Sequence, residues 1–221
     1  LHKVEEIIAN TIHPLDDIVA RNFDNIEETW FYTVFLQAVV RYLLVKCERN
    51  ELDQRFQYAR DAFVHYANWV RDHERPYLEQ ADKLEFPNTT WVAQDIRKGF
   101  IMMAAAYFQP RDADAFRAQG ERYYCYVGQT LTTQDNSDST RILAILMQNA
   151  GARQYFNMLA DLPPMADVSY QPKKNKNKYM AIAGVLLRQL KGISVRNELR
   201  WLSFRSDKVA KLLGKFTNET N

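Results

Sequence analysis

The stretch from Leu84 to Phe108 constrains the fold more than any other part of the chain. Pro87 holds Phe86 in extended backbone, and Asn88, Thr89 or Thr90 can each cap the first free N–H groups of a helix. From Ile96 onward, through Gly99, Phe100, Ile101, Met102, Met103 and three alanines to Phe108, the run is apolar on nearly every side. Such a helix is stable only when neighbours enclose it. Its polar residues Gln94, Asp95, Arg97 and Lys98 crowd into the first turns, so the sequence predicts a buried helix with a polar mouth.

Two other segments repeat this pattern. Asp24-Asn25-Ile26-Glu27-Glu28 holds two overlapping capping-box pairs, Asp24 with Glu27 and Asn25 with Glu28, and Thr29 to Val45 then runs apolar almost all round. Ser139-Thr140 opens a third apolar helix (Ile142, Leu143, Ile145, Leu146, Met147) with Arg141 in its first turn. Between these lie one-sided helices. Leu52, Phe56, Ala59, Phe63, Tyr66 and Val70 recur at spacings of 4, 3, 4, 3 and 4, the stripe of a helix with one buried face. A second stripe (Phe116, Tyr123, Tyr124, Val127) occupies about Asp112 to Gln129. A short helix (Val4, Ile7, Ile8, Ile12), a break at His13-Pro14 and an apolar piece through Ile18 and Val19 precede them.

The order is therefore buried, outer, buried, outer, buried. The buried helices open at Thr29-Trp30, Thr90-Trp91 and Ser139-Thr140, about 61 and 50 residues apart, a period too long for tetratricopeptide, ankyrin or armadillo repeats. Inner helices joined through outer ones run parallel, so their N-termini gather on one rim. An all-α fold of helical hairpins, buried inner helices alternating with amphipathic outer ones, is the expectation. With only 7 Gly and 7 Pro in 221 residues, the chain lacks the turn residues that an all-β domain needs roughly every 8–12 positions.

Charge divides the chain. From Lys173 to the end there are 12 Lys+Arg against 3 acids, and elsewhere 17 against 24. The expected organisation is an α-hairpin domain over 1–160, a linker over 161–178 and a basic C-terminal helical segment over 179–221. Residues 173–216 could dock on the acidic body or lie on an anionic membrane surface; nucleic acid is the least favoured partner. No uninterrupted apolar run of eighteen residues marks a membrane span. Cys47 and Cys125 are expected as free buried thiols. The absence of a Met at Leu1 reads as a processed product or a fragment.

The hairpin layout, together with the rim residues Glu27, Glu28, Trp30, Asn88, Trp91, Gln94, Asp95, Asp135, Asp138 and Arg141, resembles the α/α toroid of six-hairpin glycosidases, polysaccharide lyases and sugar epimerases. The resemblance covers residues 24–160, about half of a closed ring. It implies a saccharide or polysaccharide bound at the rim, with glycoside cleavage or sugar modification by carboxylates. Glycoside hydrolysis needs an acid and a second carboxylate roughly 5–9.5 Å apart. The expected catalytic residues are Asp95, one turn into the buried helix where desolvation raises its pKa, with Glu28 or Asp138 as the second acid. Trp30 and Trp91 are expected as stacking platforms, and Asn88, Gln94, Arg97 and Arg141 as polar sugar contacts.

Each of these residues has a plainer reading. Acids in a first turn are favoured by the helix dipole, Glu27 and Glu28 are accounted for as capping partners, and tryptophans at helix starts most often pack the core. The competing function is a non-catalytic helical scaffold with a basic tail for an anionic surface. No metal site is expected, since His2, His13, His65 and His73 include no i, i+4 pair and neither Cys has a companion. No phosphate loop or nucleophile elbow is present, and no cofactor is implied. Asn88-Thr89-Thr90 and Asn218-Glu219-Thr220 match the N-glycosylation pattern.

Overall fold

A computed structural model describes residues 1–133 and 139–159, all helix and connection without a strand. The chain divides into two units, Leu1–Lys174 and Asn175–Asn221; every described residue belongs to the first. Asp135, Asp138, the linker and the basic C-terminal segment lie outside the described residues.

Eight α-helices follow in order: α1 (His2–Thr11), α2 (Ile26–Thr29), α3 (Phe31–Glu48), α4 (Gln54–His73), α5 (Thr89–Phe108), α6 (Ala113–Thr132), α7 (Thr140–Asn149) and α8 (Ala152–Met158). The expected central helix is α5. Fourteen of its twenty residues are buried, and it packs against α3, α4, α6, α7 and α8. Asn88 caps it, its side chain accepting the Thr90 N–H. Asp53 caps α4 in the same way, accepting from Arg55 and Phe56 N–H.

α4 buries its stripe, with Phe56, Ala59, Phe63, Tyr66 and Val70 all 2% exposed or less, and Phe56 and Phe63 meet Phe108 of α5 edge-on. The α2–α3 run Ile26–Glu48 is apolar and long enough, by composition, to cross a membrane, with a mean hydropathy of 1.2. Leu36, Val39, Val40 and Leu43 are instead core. Lys46 near its end is buried against Glu51 and Asp53, which reads as a core helix of a globular body.

Several expectations are corrected. The capping boxes at 24–28 do not form: Asn25 precedes α2 without a side-chain cap, and Glu27 Oε1 instead accepts the N–H of Glu85. The helix also breaks at Trp30, so α3 starts at Phe31. The polar connection over 72–86 contains a 3₁₀ segment, Tyr77–Lys83, that buries Tyr77. The third apolar helix, α7, is not enclosed among the described residues: Ile142, Ile145 and Asn149 are buried, while Leu143 and Met147 are exposed. Both cysteines are free, but Cys47 is half-buried and Cys125 exposed.

The α5–α6 contact is close because glycine sits in it. A Cβ at Gly120 would lie 2.8 Å from Met103 Cε and 3.1 Å from Met102 Cβ, whereas at Gly128, further along α6, it would meet nothing within 4 Å. Alanine relieves glycine's helix penalty by about 1 kcal/mol, but overpacking costs about 1–3 kcal/mol. Gly128→Ala is therefore expected to raise the urea midpoint and Gly120→Ala to lower it. Equal shifts would mean that the contact is not tight.

Candidate functional site

The starts of the three inner helices meet at one pocket. It has a volume of about 280 Å³ and is lined by Glu27, Trp30, Phe86, Asn88, Thr90, Trp91, Gln94 and Arg141. Glu27 comes from α2, Trp30 from the α2–α3 junction, Trp91 and Gln94 from the first turns of α5, and Arg141 from the first turn of α7. The pocket thus draws its lining from the openings of helices that are far apart along the chain.

The wall is aromatic. The Trp30 and Trp91 rings meet edge to face with centroids 6.2 Å apart, Phe31 stacks on Trp30 at 3.8 Å, and Tyr77 backs Trp91 at 5.3 Å. The Trp91 indole N–H donates to Phe86 O at 3.3 Å, tying the wall to the connection before α5. Phe86 itself is 69% exposed.

The polar side is held from behind. Gln94, buried, accepts the Arg97 Nε–H at 2.8 Å, so its remaining polar atom is the Nε2 donor. Arg97 also donates through Nη1 to Gln37 Oε1 at 2.6 Å. Gln37 in turn donates to Asn149 Oδ1, and Asn149, 1% exposed, donates to Ile145 O at 2.7 Å. This amide relay joins α3, α5 and α7 and reaches the pocket through Gln94. Burial lowers the pKa of Arg97.

Of the expected substrate contacts, Trp30, Trp91, Gln94, Asn88 and Arg141 line the pocket, and Arg97 stands behind Gln94. The expected acids are placed differently. Asp138 lies outside the described residues, and Glu28 is exposed without lining the pocket. Asp95 is fully buried: its Oδ2 accepts the Tyr77 N–H at 3.0 Å, and Lys98 Nζ lies 3.1 Å from its Oδ1 without hydrogen-bond alignment. Asp95 therefore faces away from any solute, a consequence of its position one residue past Gln94 on the helix. The carboxylate that does line the pocket is Glu27, with Oε1 engaged by Glu85 N–H at 2.7 Å.

Sequence reasoning passed over Gln37, Asn149 and Glu74. A signal for the first was present: Gln37 is a polar side chain in the middle of the apolar run of α3. Two other hollows contain acids that already have partners within the fold. One, between α1 and α4, is lined by Ile8, Ala9, Tyr42, Tyr58 and Ala59 among others, and its Glu5 is already engaged by Arg55 and Tyr42. The other holds Asp72 and Glu74, which pair with Arg71 and Lys98. Among the described residues no cluster of His, Cys, Asp and Glu could hold a metal ion. No protein-family model, curated protein or solved structure matches the chain.

Proposed function

We propose that the chain is a carbohydrate-active protein that binds a saccharide in the rim pocket, its hairpins forming part of an α/α toroid. The observation that carries the reading is the convergence of Trp30, Trp91, Asn88, Gln94, Glu27 and Arg141, from three helix starts, on one hollow of about 280 Å³. That size is near the lower end of small-molecule sites, roughly 300–1,000 Å³, and suits one sugar ring with its neighbours extending over exposed Phe86 and Phe31. Aromatic faces match the C–H faces of a sugar, while amide and guanidinium donors at the edges match its hydroxyls.

Glu27 is the residue placed for acid/base work in this reading, with Oε2 as its reactive oxygen. Hydrolysis requires a second carboxylate, and Glu27 is the sole acid lining the pocket among the described residues. Binding is thus supported further than cleavage. A panel of oligosaccharides screened by intrinsic tryptophan fluorescence and calorimetry tests it. Saturable quenching with affinity in the micromolar to millimolar range, removed by Arg141→Ala, is expected. Absence of binding by every saccharide in the panel would overturn the proposal in favour of a helical scaffold.

A further inference from the structure

We infer that Asp95 is a positioning residue for the rim pocket, setting the Trp91 wall through Tyr77. The pocket's hold on its ligand is then linked to the charge of a carboxylate that does not line it. The inference rests on the saccharide reading above and adds a control on that same site.

It starts from a shared neighbour. Trp91 and Asp95 stand four residues apart on α5, and so lie next to each other along the helix. Tyr77, in the 3₁₀ segment before α5, spans the two. Its N–H donates to Asp95 Oδ2 at 3.0 Å, and its ring meets Trp91 with centroids 5.3 Å apart. Trp91 lines the pocket, while Asp95 is fully buried behind it. The Tyr77 hydroxyl is buried without a hydrogen-bond partner, so the ring has no polar anchor at its far end. What holds this residue is the carboxylate at its N–H and the Lys98 ammonium 3.5 Å from its ring centroid.

Both holds depend on the charge of Asp95. A hydrogen bond to an ionised oxygen is roughly twice as strong as one to a neutral oxygen. Lys98 Nζ lies 3.1 Å from Asp95 Oδ1 and 3.0 Å from Glu74 Oε2. With Asp95 neutral the ammonium is left to Glu74, and one of the two charges that fix it over the ring is gone. The other groups facing Asp95 are Glu74 at the end of α4, Tyr77 itself, and Tyr123 and Tyr126 on α6. Burial keeps the three hydroxyls protonated, and Lys98, against the effect of burial, is held charged by Asp95. Burial also pushes the Asp95 carboxyl up to about 6, so mild acid discharges it. Tyr77 then loosens, and the Trp91 ring loses the backing that presents it to a ligand.

The test has two arms, both on the full chain. Without ligand, tryptophan emission is followed from pH 8 to pH 5 in a His73→Gln background, because His73 stacks on Trp69 at 4.0 Å and its protonation would report there. A shift to longer wavelength with its midpoint at about 6 is expected, lost in Asp95→Asn, in Tyr77→Leu and in Trp91→Phe. With ligand, calorimetry at the two pH values uses neutral oligosaccharides of glucose, xylose and N-acetylglucosamine, whose own charge does not change. Binding about fivefold weaker at pH 5 is expected, the lower end of typical coupling between separate sites, and Asp95→Asn should bind equally at both. A merely structural role for Asp95 would lower the thermal midpoint on substitution and leave the pH profile of affinity unmoved. An emission step that is absent or that survives Asp95→Asn, or an affinity equal at both pH values, overturns this inference and leaves the saccharide reading standing. Failure of every sugar to bind at either pH removes the saccharide reading and the linkage with it.

Discussion

Lys98→Met is expected to cost about 3–5 kcal/mol of folding free energy near pH 8, the loss typical when one partner of a buried ion pair is removed. Lys98 is fully buried, with Nζ 3.0 Å from Glu74 Oε2, 3.1 Å from Asp95 Oδ1 and 2.6 Å from Arg75 O, to which it donates. The same ammonium lies 3.5 Å from the Tyr77 ring centroid, a cation–π contact out of water. Around it Tyr32 donates to Glu74 Oε1 and Tyr123 to Glu74 O. One side chain therefore ties α5 to the end of α4 and to the 3₁₀ segment at Tyr77, the connection that carries Phe86 to the rim. Methionine keeps the length of the stem but leaves two carboxylates without a cation. Urea unfolding followed by circular dichroism measures the loss; a deficit below 1 kcal/mol would mean that water reaches the cluster.

The sign with pH follows from the same residues. Burial pushes the Asp95 carboxyl up to about 6, against the pull of Lys98 and the Tyr77 N–H. A carboxyl whose folded pKa is raised holds its proton longer in the native state. Its contribution to stability is then greatest below its unfolded pKa and declines as pH rises from about 4 to about 6. Asp16 and Asp53 go the other way. Burial would raise them, but the hydroxyl of Tyr66 and the guanidinium of Arg21 on Asp16, and the ammonium of Lys46 on Asp53, hold them low. They lose stability only as the solution becomes acidic below the usual carboxylate range. Subtracting the Asp95→Asn profile from the wild-type one isolates the first effect, at most about 3 kcal/mol across the window. In Lys98→Met the Asp95 carboxyl loses the cation that pulls it down and takes up its proton more readily, so the variant's deficit should narrow between pH 8 and pH 5. A deficit that stays constant over that range would show that the ion pairs are not its source.

The central helix was legible because its composition allows nothing else: a run such as Ile101-Met102-Met103-Ala104-Ala105-Ala106 has no face for water. The pocket lining was legible in part, since Trp30, Trp91 and Arg141 stand out in the sequence as residues at the openings of apolar runs, and all three line one hollow. The roles within the rim were not. Asp95 and Gln94 are neighbours in sequence, but 100° of helical rotation sends one to the pocket and the other into the core. Glu27 and Glu28 differ in the same way, and the capping pattern that explained both formed with neither. The exposed side of α7 was equally out of reach, because Leu143 and Met147 belong to an apolar run that on paper matches those of the enclosed helices. A sequence gives the period of a helix more readily than its phase against neighbours that are distant along the chain.

Trp91→Ala is expected to weaken saccharide binding by about 30-fold or more, the 2 kcal/mol loss at which a truncated aromatic anchor counts as a hot spot. The expectation comes from how the ring is held. It is fixed on one side by its indole N–H to Phe86 O and on another by the Tyr77 ring, and it meets Trp30 nearly perpendicular, at 86°. A ring fixed before the ligand arrives loses little entropy on binding. Alanine removes the wall and also loosens the small cluster of Ile26, Tyr77 and Leu84 beneath it, so affinity alone would not separate stacking from support. Trp91→Phe separates them: phenylalanine retains a stacking face and most of the packing while losing the N–H, and should recover the greater part of the affinity. If both variants bind as weakly as each other, the indole acts by holding the Phe86 connection. If both bind as the unaltered chain does, the ring is core packing, and the pocket must take its ligand without it.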